Sequence, residues 1–95
     1  MQAAENPMPF RRRRDVRFRI IDREAVVLRQ EAGETLVLNE VGARILQMVD
    51  GGLTLETIIE TLTSEFDVDP TQADEDTRSF LEELATAGVI ETLET

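Results

Sequence analysis

The densest group of potentially reactive side chains in this sequence is the run Asp74-Glu75-Asp76. Adjacent carboxylates can hold a hard cation or act as general acid and base, but both uses need partners that converge from elsewhere in the chain. The sequence has no histidine and no cysteine, which removes the usual base at neutral pH, the commonest metal ligand and thiolate chemistry. No glycine-rich phosphate loop and no calcium-type ligand spacing accompanies the run. It therefore reads as the negatively charged first turn of a helix, stabilised by the helix dipole, and the chain reads as non-catalytic, without metal or cofactor.

Two cationic features remain. Arg11-Arg12-Arg13-Arg14 could engage nucleic acid or an acidic surface, but residues 51–95 of the same chain hold twelve acids against Arg78 alone and compete for it. Residues 1–50 are nearly balanced, with nine arginines against eight acids, so the net charge of −10 comes from the second half. That half should repel nucleic acid. Arg78 stands four residues from both Asp74 and Glu82, a spacing that predicts an ordinary intrahelical ion pair.

Ninety-five residues make one small domain with a modest core. No apolar run approaches the roughly 20 residues of a membrane span, and residues 1–10 lack a signal-peptide core, so a cytoplasmic location is expected. Residues 1–15 carry two of the three prolines and no apolar periodicity, and read as a flexible arm; residues 16–92 read as the domain.

The domain opens with alternation. Val16, Phe18 and Ile20 point one way and Arg17 and Arg19 the other, as in a strand with one buried face. Ala25–Arg29 is a second strand after the polar turn Asp22-Arg23-Glu24. Thr35–Leu38 is a third, after a turn in which Gly33 can take positive φ. Asn39 then caps a helix over Glu40–Val49, with Val41, Ile45, Leu46, Met48 and Val49 recurring on one face. Gly42 in its first turn is worse than alanine by about 1 kcal/mol and implies a close approach, expected to be against the sheet.

Thr54 is the expected cap of a second helix whose apolar stripe is Leu55, Ile58, Ile59, Leu62 and Phe66. Asp69-Pro70 with Gln72 starts a third, with Ala73, Thr77, Phe80, Leu81, Leu84 and Ala85 inward and Gly88 as its stop before Val89-Ile90 folds back onto the core. The expected fold class is α+β: a three-stranded antiparallel meander followed by three helices, of winged-helix kind. Such a fold binds DNA through a basic recognition helix, which makes a transcriptional regulator the alternative reading. Here the third helix offers Asp74, Glu75, Asp76, Glu82 and Glu83. The other use of such a fold is an open strand edge that accepts an extended peptide.

The combination Leu38-Asn39-Glu40-Val41-Gly42-Ala43-Arg44-Ile45-Leu46, Asp50-Gly51, Thr54, Ile58-Ile59, Leu62, Phe66, Asp76, Phe80-Leu81, Leu84 and Gly88-Val89-Ile90 resembles the PqqD family over about residues 16–91. The resemblance implies a precursor-peptide recognition element of ribosomally made, modified peptides. Such an element binds the leader of a precursor peptide (PqqA-like) and presents it to a modifying enzyme, often a radical S-adenosylmethionine protein (PqqE-like), in pyrroloquinoline quinone or related biosynthesis. It also implies where the leader docks: as an added strand along Thr35, Leu36, Val37 and Leu38, and against the surface around Arg78, Leu81 and Ala85. The Arg11–Arg14 run is not a feature of that family, and the sequence leaves monomer and homodimer open.

Overall fold

The computed structural model describes residues 8–93. In chain order it contains β1 (Phe10–Arg12), β2 (Val16–Ile21), β3 (Glu24–Arg29), β4 (Glu34–Leu38), α1 (Glu40–Asp50), α2 (Leu55–Phe66), α3 (Pro70–Thr86) and β5 (Ile90–Thr92). The meander expected from the sequence is present as the antiparallel sheet β2-β3-β4. Its first turn is the two-residue pair Asp22-Arg23, both at positive φ, which matches a primed hairpin turn and the strand twist it serves. Gly33 takes positive φ in the second turn.

Opposed residues of antiparallel strands share a face. The rows Phe18-Val27-Leu36 and Ile20-Ala25-Leu38 therefore look toward the helices, and Arg19-Val26-Val37 looks away. α1 packs on β3 and β4. Its apolar face, Ile45, Leu46, Met48 and Val49, is buried together with Val27, Ile58, Leu62, Leu81 and Leu84 in one continuous core.

The helix starts follow from their caps. Asn39 Oδ1 accepts from the Gly42 N–H, Thr54 Oγ1 from Thr57, and Asp69 Oδ2 from both Thr71 and Gln72. Pro70 occupies the first turn of α3. Because α3 begins there, Asp74-Glu75-Asp76 falls in its second turn rather than the first, which corrects the expected placement.

The N-terminal stretch also needs correcting. Residues 1–7 of the expected arm lie outside the described residues, but residues 8–15 are part of the domain. Met8 is 5% exposed within the core, and β1 pairs antiparallel with β5, Arg11 opposite Glu91. The arginines are anchors: Arg11 pairs with Glu91, Arg12 with Asp50, and Arg13 with Asp15, Glu31 and Glu91. Burial disfavours the charged form of Asp15, yet the hydrogen bonds from Arg13 and from the Glu31 N–H outweigh it and hold the carboxyl below its usual range. A lone methionine between prolines carries no periodicity, and three-residue strands are too short to show any. That is why the sequence reads as an arm where the chain forms a second small sheet.

Candidate peptide-docking groove

The sheet β2-β3-β4 has two edge strands, β2 and β4, and they differ. At β2 the Val16 carbonyl is occupied by guanidinium donors from Arg12 (2.6 Å) and Arg17 (3.2 Å), which blocks the start of that edge. Among the described residues no strand pairs with the outer side of β4. Thr35 and Val37 stand out to solvent, Val37 at 63% exposure, while Leu36 and Leu38 are half-buried against the core.

Where β4 ends, a groove of about 280 Å³ opens between α1, α2 and α3. Its walls are apolar: Ile45 from α1, Leu62 and Phe66 from α2, and Phe80 from α3. Gly42 explains the close approach of the elements. A Cβ at that position would lie 2.7 Å from Cζ of Phe80 and 3.3 Å from Cβ of Leu38. The neighbour that requires the glycine is thus the aromatic ring of α3, together with the last residue of β4. The rim is acidic, with Asp76 and Glu83 on α3, and Thr77 lies in the lining with its side chain 0% exposed.

Two of the elements that wall the groove, α1 and α2, are tied together by an ion pair. Arg44 of α1 grips Glu65 of α2 with two 3.0 Å bonds, Nε to one carboxylate oxygen and Nη2 to the other. The hydrogen bond from Arg44 is the main reason the Glu65 carboxyl is held below its ordinary range. At the far end of α3, Gly88 at positive φ lets the chain turn where a side chain would meet the Arg29 guanidinium, 2.6 Å from its Cβ position.

Of the residues expected at the site, Thr35, Leu36, Val37 and Leu38 form the open edge. Arg78 is exposed and pairs with Asp74. Leu81 is 2% exposed and belongs to the core, and Ala85 is half-buried against it. Residues two apart on a helix are separated by about 200°, so Arg78 lies on nearly the opposite flank of α3 from Phe80. The groove is lined by the other flank, Asp76, Ser79, Phe80 and Glu83. Sequence periodicity identified Phe80 as inward, but the flank that borders β4 is decided by how α3 crosses the sheet. Among the described residues no three side chains of metal-ligating type come together, and no helix is long and apolar enough to cross a membrane.

The model of the family described as coenzyme PQQ synthesis protein D (PqqD) matches residues 24–90. The chain belongs to the PqqD family. Similar solved structures extend the match across this PqqD-family domain. TbiB1 in complex with the TbiA(beta) leader peptide has a TM-score of 0.82 at 29% identity, over 90% of this chain and 99% of that one. The lasso peptide synthetase B1 complexed with the leader peptide has a TM-score of 0.79 at 29% identity, over 86% and 96%. The PqqD truncation of Methylobacterium extorquens PqqCD, described as a functional stand-alone recognition element for ribosomally synthesised and post-translationally modified peptides, has a TM-score of 0.70 at 30% identity, over 87% and 88%. No curated protein matches the sequence. The PqqD-family domain is α+β, with antiparallel sheets and three helices.

Proposed function

We propose that this PqqD-family domain is a non-catalytic carrier that binds the leader of a ribosomally made precursor peptide. The leader adds as a strand to the outer edge of β4, with its side chains reaching the groove beside α3. The observation that carries this reading is the β4 edge, unpaired among the described residues and continuous at Leu38 with an apolar groove, in a domain similar to two proteins solved with leader peptides. Main-chain pairing supplies affinity that tolerates sequence, and the groove supplies selection.

The domain then presents the peptide to its modifying enzyme, for which a radical S-adenosylmethionine protein acting on a PqqA-like peptide is the leading case. The arrangement of meander and helices is of winged-helix kind, with the DNA-facing use replaced by peptide capture. Calorimetric titration with a precursor peptide encoded beside this gene tests the function. The full precursor and its leader half should bind with equal affinity, whereas binding carried by the modified half alone would reject leader recognition.

A further inference from the structure

The charged groups around the groove are of one sign, and its other polar lining residues, Asn39, Thr77 and Ser79, can both donate and accept. Asp76 and Glu83 offer carboxylates at its rim, and Thr77 presents a buried hydroxyl. Thr77 Oγ1 has no hydrogen-bond partner among the described residues, an unfavourable state for a buried hydroxyl unless a ligand supplies one. One oxygen of Asp76 accepts from Gln72 Nε2 at 2.8 Å, and among the described residues neither Asp76 nor Glu83 forms an ion pair. The two nearest arginines by element are committed elsewhere, Arg44 to Glu65 and Arg78 to Asp74. The N-terminus of α1 contributes about half a positive charge nearby, which two full carboxylates outweigh. Carboxylates accept without donating, so a matching ligand group carries several donors and a positive charge.

The walls set the second requirement. Ile45, Leu62, Phe66 and Phe80 accept a methylene stem, and the rim lies at the mouth. An apolar stem ending in a donor-only cation describes lysine and arginine side chains. Resting on the leader-binding reading above, the geometry points to a basic residue of the bound peptide as the occupant of this groove. Its stem lies along Phe80 and Ile45, and its head sits between Asp76 and Glu83 within reach of Thr77. The recognition segment is therefore an extended peptide with one obligatory lysine or arginine.

The test pans the full-length protein against a displayed library of random short peptides and confirms by amide NMR shifts that the selected peptides contact β4. The selected peptides should share lysine or arginine at one position. Replacing it with norleucine, which keeps the stem and removes the charge, should weaken binding roughly tenfold. The same replacement should cost almost nothing against the double variant Asp76→Asn, Glu83→Gln, whose substitutions are on exposed positions. On the unaltered protein, N-butylguanidinium should shift the Gly42, Thr77 and Phe80 amides, whereas the uncharged isostere N-butylurea should not. Peptides that contact β4 without a shared basic residue, or an equal norleucine loss on both proteins, would overturn the basic-residue inference and leave leader binding standing. Failure of every selected peptide to shift β4 amides would overturn both.

Discussion

Gly42 and Phe80 meet across the interface of α1 and α3 so closely that a methyl group at position 42 would stand 2.7 Å from the tip of the aromatic ring. The ring borders the groove, so it has space to swing when pushed. Alanine recovers about 1 kcal/mol of helix propensity and displaces Phe80, and the two effects oppose each other. Gly42→Ala should therefore leave unfolding free energy within about 1 kcal/mol of the parent, while the displaced ring fills the groove and weakens peptide binding. Denaturant unfolding and peptide anisotropy on the same variant check both halves.

Deleting residues 1–14 removes Met8 from the core and β1 from its pairing with β5. Burying a methionine side chain contributes about 1.5–3 kcal/mol. For a domain of this size the midpoint should fall by roughly 10 °C or more. Thermal unfolding by circular dichroism measures it, and an unchanged midpoint would return residues 8–14 to the status of an arm.

Thr77→Val replaces a buried hydroxyl that has no partner among the described residues with a methyl group of similar shape. The free protein should gain about 1 kcal/mol in unfolding free energy, because the desolvated hydroxyl has no bond to lose. The same variant should bind peptide more weakly, since it withdraws an acceptor from the groove. Stability and affinity moving in opposite directions separates this role from simple packing.

Glu65 has a folded pKa below its ordinary value of 4.5, so its bond to Arg44 adds stability above that pH and loses it as pH falls through the lowered value. The pair is well exposed and should contribute only a few tenths of a kcal/mol. Glu65→Gln should lower the thermal midpoint slightly at pH 7 and converge with the parent once the pH lies below the lowered pKa of Glu65. A gap that persists after the carboxyl is protonated would show that the substitution acts through packing.

The outward flanks of α3 carry Asp74, Glu75, Asp76, Glu82 and Glu83, and Arg11, Arg12 and Arg13 are engaged by carboxylates of the chain itself. Duplex DNA should not bind. Anisotropy titration at low salt checks this, and salt-sensitive submicromolar affinity would contradict it.

The helices were legible because each begins at a residue whose side chain does local work: Asn39, Thr54 and Asp69 all accept from the first turn that follows. The meander was legible through its alternation, with Val16 and Val27 fully buried and Val37 exposed. What escaped depends on distant pairing. β1 is a strand only because β5 returns beside it some eighty residues later, at Arg11 and Glu91. The flank of α3 that meets α1 is likewise a property of chain crossing, so periodicity marked Leu81 and Phe80 alike although one fills the core and the other borders the groove.

The measurement that tests leader capture most directly is an amide NMR titration of the isotope-labelled full chain with leader peptide, repeated on Val37→Pro after circular dichroism shows that it is folded. Leader recognition at β4 predicts shifts concentrated on Glu34–Leu38 and on the Asp76, Ser79, Phe80 and Glu83 flank of α3, with affinity lost in Val37→Pro because proline breaks strand pairing at that edge. Shifts concentrated on β2 or α2, with Val37→Pro binding as tightly as the parent, would contradict it.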